Sequence, residues 1–242
     1  MDFTTRSEMI LGKENLDLLA MKSVAVFGLG GVGGAAVEAL ARVGIGTFYL
    51  VDPDSFNRSN INRQLLATEN TLGKKKVDVA RERILSINPN ANVFTYPVFY
   101  LPHQDTALDF LKFDYVIDAI DTVTAKVDII RRCKENGIGI VSCMGCGNRI
   151  DPSKLRVEDI YRTHDDPLAK VIRQKCRQMG IESLTVVYSV EEPLTPLFKI
   201  QSDSATRRDV PGSTPFVPPV AGYLLAQTAV MNMLKFDPNN RK

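Results

Sequence analysis

A run of glycines near the N-terminus constrains the fold of this chain more than any other feature. Gly28-Leu29-Gly30-Gly31-Val32-Gly33 lies between a short apolar run, Ser23 to Phe27, and an amphipathic stretch, Val32 to Arg42. Glycines at a strand-to-helix junction let the backbone approach a phosphate, and the helix N-terminus supplies free amides and partial positive charge. The sequence therefore predicts a nucleotide site built around this turn.

The turn by itself does not identify the nucleotide. Its glycines, Gly28, Gly30, Gly31 and Gly33, also fit the dinucleotide fingerprint, and Asp52 could hold ribose hydroxyls in either case. ATP and NAD are both compatible with this pattern.

Short apolar runs alternate with amphipathic stretches over the first three-quarters of the chain, as in parallel strands joined by helices. The predicted strands are Ser23 to Phe27, Thr47 to Val51, Asn92 to Tyr96, Tyr115 to Ile120 and Gly139 to Ser142. The predicted helices are Val32 to Arg42, Lys75 to Ile87, Asp105 to Leu111 and Val123 to Asn136. We predict an α/β fold: a doubly wound, Rossmann-like, mostly parallel sheet with helices on both faces and a C-terminal elaboration. Residues after Phe27, Val51 and Ile120 should then share one ligand-binding crevice.

The composition changes after Asn148, where prolines become frequent. We predict one domain over residues 1–242, with a nucleotide-binding core at 1–148 and a substrate-side elaboration at 149–242. The elaboration ends in an apolar helix, Val220 to Leu234, which is too short and too polar in places to span a membrane. The N-terminal residues do not resemble a signal peptide. The chain is predicted to be cytoplasmic, with no membrane partner.

The near-neutral net charge of the chain means that a nucleic acid could be bound only by a local basic patch. Thirty Lys and Arg residues against 28 Asp and Glu give a formal charge of +2, so a nucleic acid must be held by a basic patch rather than by bulk charge. One helix supplies such a patch: Asp166 is a suitable N-cap and Pro167 suits the first helical position. Its cations Lys170, Arg173 and Arg177 fall on one face, with Leu168, Ile172 and Met179 predicted to face inward. Arg207-Arg208 would add to this charge.

Two further cations favour ATP over a dinucleotide. Arg63 and Lys76 follow the second predicted strand, and hydride transfer has no need of two cations at the phosphates. When a carboxylate attacks the α-phosphate of ATP, charge develops on the bridging oxygens and the leaving pyrophosphate, where Arg63 and Lys76 would stabilise it. Asp121 is the candidate Mg²⁺ ligand. Lys74 and Lys75 are predicted to be solvated charges.

Several segments together resemble the ThiF, MoeB and HesA superfamily of ubiquitin-activating-like adenylating enzymes. They are the glycine turn, Leu50 to Asp54, Asn60-Ile61-Asn62-Arg63-Gln64, Gly73 to Lys76 and Asp118 to Asp121. The resemblance implies that Asp52 holds ribose, that Asn60, Arg63 and Lys76 hold the triphosphate, and that Asp121 binds Mg²⁺. Asp54 and Gln64 complete the predicted nucleotide-binding set. The resemblance also implies a homodimer in which Arg6 reaches the ATP of the other subunit.

Within the superfamily, the chain is similar to the tRNA threonylcarbamoyladenosine dehydratases. This similarity rests on Arg6 to Gly12, Met144 to Asn148, Asp166 to Ala169, Val187 to Ser189 and Phe216 to Gly222. It implies that ATP adenylates the threonyl carboxylate of threonylcarbamoyladenosine in tRNA, after which a ring closes with loss of water and AMP leaves. Lys170, Arg173 and Arg177 become the candidate tRNA-binding residues.

The alternative is an activating enzyme for a ubiquitin-like sulfur-carrier protein. Such a role typically needs a transfer cysteine after the adenylation site, and no cysteine follows Cys176. A third hypothesis, an NAD-dependent oxidoreductase or nucleotide sensor, is disfavoured by the phosphate cations. Structural zinc is not expected, because Cys143 and Cys146 are the only Cys-x-x-Cys pair. That pair could be redox active or provide small packing at a strand end, and packing is favoured.

Some features remain open at the level of sequence. A general base at His164 is conceivable, but a histidine before two aspartates is more often a surface residue. A monovalent cation near the nucleotide and a cysteine-desulfurase sulfur relay as a partner are also left open. Gly34 stands where the superfamily often has serine, which leaves the backbone of the turn intact.

Overall fold

The computed structural model describes residues 2–102, 108–200 and 210–237. It contains one sheet of seven strands, in the order β3-β2-β1-β4-β5-β7-β6. The strands are β1 Ser23–Phe27, β2 Thr47–Val51, β3 Asn92–Tyr96, β4 Tyr115–Asp118, β5 Gly139–Cys143, β6 Leu155–Asp159 and β7 Thr185–Ser189. All neighbouring strands pair in parallel except β6 and β7, which are antiparallel.

Seven α-helices occur in the described ranges. They are α1 Thr5–Leu11, α2 Lys13–Ala20, α3 Gly31–Val43, α4 Lys76–Ile87, α5 Val123–Glu135, α6 Pro167–Gln178 and α7 Val217–Leu234. No helix among these residues has the combination of length and hydrophobicity needed to cross a membrane.

Helices cover both faces of the sheet, as predicted, and each face has its own apolar core. One core joins the sheet to α2, α3, α4 and α7, and includes Leu40 and Leu225. The other joins it to α5 and α6, and includes Ile129 and Ile172. Strands covered on both faces should be apolar throughout, and four of the five residues of β1 are fully buried. The predicted doubly wound, mostly parallel α/β sheet is confirmed.

The chain reverses its direction across the sheet after β3. It runs outward from β1 to β3 and then returns to place β4 on the other side of β1. Ligands in open α/β sheets bind at such a switch point, beyond the carboxyl ends of the strands. The crevice between the ends of β1 and β4 is therefore the first place to look for a site. Strands from both sides of residue 148 join this sheet, and the division into a core and an elaboration at that residue stays a prediction.

Two predicted strands differ from the observed ones at their carboxyl ends. β4 ends at Asp118 rather than Ile120, because the Ile120 amide turns toward Asp118 Oδ1, 3.4 Å away, instead of continuing the ladder. β5 continues one residue further than predicted, to Cys143, which pairs with Val187 of β7.

The predicted helix Asp105 to Leu111 begins in residues outside the described ranges. The described remainder is wrong as an α-helix: Phe110–Lys112 is a single 3-10 turn, begun by Asp109, whose Oδ1 accepts the Leu111 amide at 3.1 Å. The predicted helix Val220 to Leu234 begins earlier, at Val217, because Pro218 and Pro219 fit a first turn where amide donors are not needed.

Candidate functional site

A cavity of about 520 Å³ opens at the switch point of the sheet. Ten of the eleven predicted nucleotide-binding residues line it: Gly28, Gly30, Gly31, Asp52, Asp54, Asn60, Arg63, Gln64, Lys76 and Asp121. The sequence separates these residues by up to 93 positions, and the carboxyl ends of β1, β2 and β4 bring them together.

The glycine turn is shaped by two close backbone approaches. Gly28 has a φ of +86°, and a Cβ there would lie 2.7 Å from the carbonyl oxygen of Ala119. A Cβ on Gly33 would lie 1.8 Å from the Gly28 carbonyl oxygen. Gly33 thus lets α3 begin directly above β1 without lining the cavity itself. Gly31, the first residue of α3, does line the cavity, so the free amides of a helix N-terminus are available beside it.

Asp52 follows β2 and fixes the turn from below. Its Oδ2 accepts the Leu29 amide at 2.6 Å and its Oδ1 accepts the Asp54 amide at 2.9 Å. Burial raises the pKa of this carboxyl, and the charge of Lys76 and the two amides act against that rise. Each oxygen keeps a second lone pair, so Asp52 can still accept a bond from a ribose hydroxyl.

Lys76 is the first residue of α4 and its side chain is only 7% exposed. Its Nζ donates to Asp54 Oδ2 at 2.8 Å and lies 3.7 Å from Asp52 Oδ1. A buried ammonium needs paired charge, and these two carboxylates supply it. Because Asp54 is 62% exposed, it can move aside for the phosphates of a nucleotide.

Arg63 has one side of its guanidinium fixed and the other unused. Its Nη1 donates to the Ser59 carbonyl and to Asn62 Oδ1, each at 2.9 Å. Within the described ranges, Nε and Nη2 have no bond to protein. A planar guanidinium held at one nitrogen has its remaining donors oriented as well, so Arg63 presents a fork that suits a phosphate.

Two neutral amide side chains, of Asn60 and Gln64, also line the cavity. Asn60 is buried, and its Oδ1 accepts the Asn57 amide at 3.1 Å. Gln64 is also buried, and its Oε1 has no hydrogen-bond partner in the described part of the chain. A buried, unpaired amide oxygen in a polar cavity is costly unless a ligand satisfies it.

Asp121 is an exposed acid of the cavity lining, and among the described residues its one hydrogen-bond contact is Thr122 Oγ1 at 3.5 Å. In the described ranges no group of three or more His, Cys, Asp or Glu residues is arranged to hold a metal ion. Mg²⁺ commonly binds through one or two carboxylates together with substrate phosphates and waters. A single accessible carboxylate beside the predicted phosphate-binding residues fits that mode.

The sequence model of the ThiF family matches residues 4–242. This chain belongs to the ThiF family. Its similarity to individual members extends over nearly the whole length: it is 41% identical to the tRNA threonylcarbamoyladenosine dehydratase of Bacillus subtilis (strain 168) over 241 residues, covering 96% of this chain and 94% of that protein.

Solved structures of this family have the same fold. The structure of E. coli tRNA N6-threonylcarbamoyladenosine dehydratase in complex with AMP has a TM-score of 0.85 and 33% identity, over 95% of this chain and 93% of that one. The complex of the same E. coli enzyme with ATP has a TM-score of 0.82 and 32% identity, over the same shares of the two chains.

Arg6 is the predicted ATP-contacting residue that comes from α1 rather than from the ends of the strands. It is exposed on α1 and does not line the cavity of its own chain. Its action at the ATP of a second subunit stays a prediction.

The basic helix of this ThiF-family chain, α6, presents its three cations in different ways. Asp166 caps it as predicted, accepting the Ala169 amide at 2.9 Å, and its buried face consists of Ala169, Ile172 and Cys176. Lys170 is exposed, and Arg177 lies over the ring of Tyr161 with its carbon Cζ 5.6 Å from the centroid.

Arg173 makes hydrogen bonds within the protein that the helical periodicity does not predict. It is half-buried, and its Nη1 donates to the carbonyl and the hydroxyl of Thr163, both at 2.6 Å. Leu168 and Met179, predicted to face inward, are only half-buried. His164 lies at the surface, 58% exposed and 2.8 Å from Asp165, and Arg207-Arg208 lie outside the described ranges.

Sequence reasoning missed two groups of residues around this ThiF-family site. Val98, Phe99 and Tyr100 line the cavity from beyond β3; the rule that ligands bind at strand ends would have found them if it had also been applied to the third strand. The second group is a fully buried ion pair, in which Lys126 Nζ donates to Asp118 Oδ2 at 2.8 Å and to the Cys143 carbonyl at 2.9 Å. It joins the carboxyl ends of β4 and β5.

Proposed function

We propose that this chain is an ATP-dependent, tRNA-modifying enzyme. In this proposal it adenylates the threonyl carboxylate of threonylcarbamoyladenosine in tRNA and cyclises it with loss of water. The observation that carries the proposal is the convergence, in one cavity, of a glycine turn, a buried acid after β2 and two cations, Arg63 and Lys76. The dehydratases of B. subtilis and E. coli, similar over nearly the full chain, support the choice of substrate.

The reaction consumes ATP in two steps. First, a carboxylate oxygen of the substrate attacks the α-phosphorus, and pyrophosphate leaves. Then a nitrogen of the same substituent attacks the activated carbonyl carbon, the C–O bond to the phosphate breaks, and AMP leaves as the ring closes. The oxygen and hydrogens lost from the substrate amount to one water, with the oxygen carried away on AMP.

The residues of the cavity have separate parts in this scheme. Lys76 and Arg63 offset the charge that develops on the bridging oxygen and on pyrophosphate, where preorganised cations lower the barrier most. Asp52 orients the ribose, and the amides of α3 hold a phosphate. Asp121 would hold Mg²⁺, which screens the triphosphate charge when bound. No nucleophile from the protein is needed.

The tRNA surface is proposed to include α6. Lys170 and Arg177 are exposed and suited to phosphate contacts, which position a nucleic acid without reading its sequence. Arg173 already holds the Thr163 segment, so its contribution to tRNA binding would be through placing that loop and the cations beside it.

The remaining partners are also part of the proposal. A homodimer with Arg6 acting across the interface is proposed from the family resemblance, Mg²⁺ from the resemblance and the chemistry, and a cytoplasmic location from the N-terminal sequence. A monovalent cation and a sulfur-relay partner stay predictions that depend on the resemblance alone.

The test is mass spectrometry of the nucleosides from tRNA that carries threonylcarbamoyladenosine, after incubation with the protein and Mg-ATP. We expect the modified nucleoside to lose one water with release of AMP. Lys76→Ala should lower this rate by about a hundredfold or more, the usual cost of removing one transition-state donor. Lys74→Ala is the matched control, since Lys74 is exposed and does not line the cavity.

An unchanged nucleoside would overturn the proposal. ATP–pyrophosphate exchange that appears only with a carrier protein ending in Gly-Gly would instead establish the sulfur-carrier alternative.

A further inference from the structure

A pair of thiols lies at the carboxyl end of β5, outside the nucleotide cavity. The sulfurs of Cys143 and Cys146 are 3.5 Å apart. Cys143 is buried at the end of the strand, whereas Cys146 is half-buried in the loop that follows. The other two cysteines, Cys133 and Cys176, are fully buried on separate helices.

We propose that Cys143 and Cys146 are a thiol modification site that forms a reversible disulfide. With a hydroperoxide as oxidant, two S–H bonds and the O–O bond break, one S–S bond forms, and the peroxide is reduced to water or to water and an alcohol. An intracellular disulfide of this kind is usually transient and redox-sensing, and thiol reductants reverse it by exchange.

The surroundings determine which sulfur reacts first. Cys146 is the accessible member of the pair, so it is the sulfur that an external oxidant reaches. Cys143 then closes the bond from the protein side. The hydrogen bond with Cys146 and burial hold the pKa of Cys143 well above its usual range, so it is a poor first nucleophile but stands ready to trap an oxidised neighbour. Burial raises the pKa of Cys133 to about 12 and that of Cys176 to about 11, which leaves both unreactive.

Closure of the bond must move the loop rather than the strand. The sulfurs have to approach by about 1.5 Å to reach disulfide length. Cys143 is held in place, because its carbonyl accepts from Lys126 Nζ at 2.9 Å and the next amide, of Met144, donates to Val187 at 2.8 Å. The movement is therefore taken up by Cys146 and by Gly147 and Asn148 after it.

Asn148 joins this loop to the segment at Gly212 and Ser213. It has a φ of +58°, its amide donates to the Gly212 carbonyl at 2.7 Å, and its Oδ1 accepts the Gly212 amide at 2.6 Å. The next carbonyl, of Ser213, accepts from Asn62 Nδ2 at 2.9 Å. Asn62 Oδ1 in turn accepts from Arg63.

A contiguous set of contacts therefore joins the thiol pair to a phosphate-binding cation. We infer that the disulfide misplaces Arg63 and lowers ATP-dependent turnover. This part of the inference rests on the proposed function, whereas formation of the disulfide does not.

The first experiment measures the bond itself on the full-length protein. Cleavage after Lys and Arg places Cys143 and Cys146 on one peptide, residues 135–149, and leaves Cys133 and Cys176 on two others. After treatment with hydrogen peroxide and alkylation of the remaining thiols, we expect the 135–149 peptide to be unalkylated and lighter by two hydrogens. Dithiothreitol should restore both thiols, while the other two peptides stay alkylated throughout. If the 135–149 peptide keeps two alkylated thiols, or if Cys133 and Cys176 oxidise equally fast, the site does not exist.

The second experiment measures AMP release with modified tRNA before and after oxidation. We expect a loss of about tenfold or more, as for an ångström-scale misplacement of a catalytic group, reversed by dithiothreitol. Cys146→Ser should keep the activity of the reduced protein and be insensitive to peroxide. Undiminished turnover of the oxidised protein would refute the connection to Arg63, even with the disulfide in place.

Discussion

The buried pair of Lys126 and Asp118 gives the sharpest prediction about stability. Both side chains have no exposed surface, and Nζ lies 2.8 Å from Oδ2. In Lys126→Met the aliphatic volume is kept, but the Asp118 carboxylate stays buried, and in the described part of the chain it retains the Ser142 hydroxyl, at 2.5 Å, and a weak amide contact at 3.4 Å. Breaking a buried pair by removing one partner costs about 3–5 kcal/mol. For a domain of this size, that corresponds to a fall in melting temperature of about 6–20 °C.

The assay is thermal and urea unfolding of Lys126→Met beside two companions. Lys13→Met is the matched control, because the Lys13–Asp17 pair has almost the same length, 2.9 Å, with side chains 71% and 61% exposed; no measurable change is expected there. The double variant Lys126→Met with Asp118→Asn should recover part of the loss, since no buried charge remains. If Lys126→Met unfolds like the Lys13→Met control, burial does not govern the strength of these pairs.

Three further outcomes follow from the structure. The Arg83 and Arg42 guanidiniums hold the pKa of Glu38 below its usual range. Its stabilisation should be complete at neutral pH and lost as pH falls through the lowered pKa, so the difference in urea midpoint between wild type and Glu38→Gln should shrink as the solution is acidified below the usual pKa of a glutamate. Gly28→Ala should weaken ATP binding, measured by calorimetry, by about tenfold or more, because the added Cβ would lie 2.7 Å from the Ala119 carbonyl oxygen. The control is Gly73→Ala, which also has a positive φ, +78°, but has open space around it. This control should leave ATP affinity unchanged. Replacing Lys170 and Arg177 together by alanine should weaken tRNA binding and flatten its salt dependence, with ATP affinity intact; equal salt slopes would contradict the α6 surface.

Local pattern predicts much of this fold. β1, β2 and β3 begin and end where the sequence places them. β1 and β2 are marked by mostly apolar runs between turn formers, as buried parallel strands are. β3 is an edge strand without a buried residue, and its β-branched and aromatic residues mark it instead. The nucleotide site was predictable for a related reason. Strand ends in a doubly wound sheet converge on one edge, so residues that follow different strands are brought to one cavity.

Contacts between distant side chains were not predictable from the same patterns. The pairing of Lys126 with Asp118 crosses from α5 to β4, and that of Asn62 with Ser213 spans 151 positions. The helical periodicity predicts Arg173 as a surface cation, yet its guanidinium donates a hydrogen bond to the Thr163 carbonyl in the preceding loop. Periodicity records which face of an element is apolar, and it carries no information about which polar groups meet once elements pack.

The proposed adenylation is tested most directly by following oxygen atoms. Threonylcarbamoyladenosine-containing tRNA whose threonyl carboxylate carries ¹⁸O at both oxygens is incubated with the protein and Mg-ATP, and the released nucleotide is analysed by mass spectrometry. If the carboxylate attacks the α-phosphorus and ring closure breaks the C–O bond, each AMP should contain one ¹⁸O atom. AMP without the label, or labelled phosphate accompanied by ADP, would contradict the account.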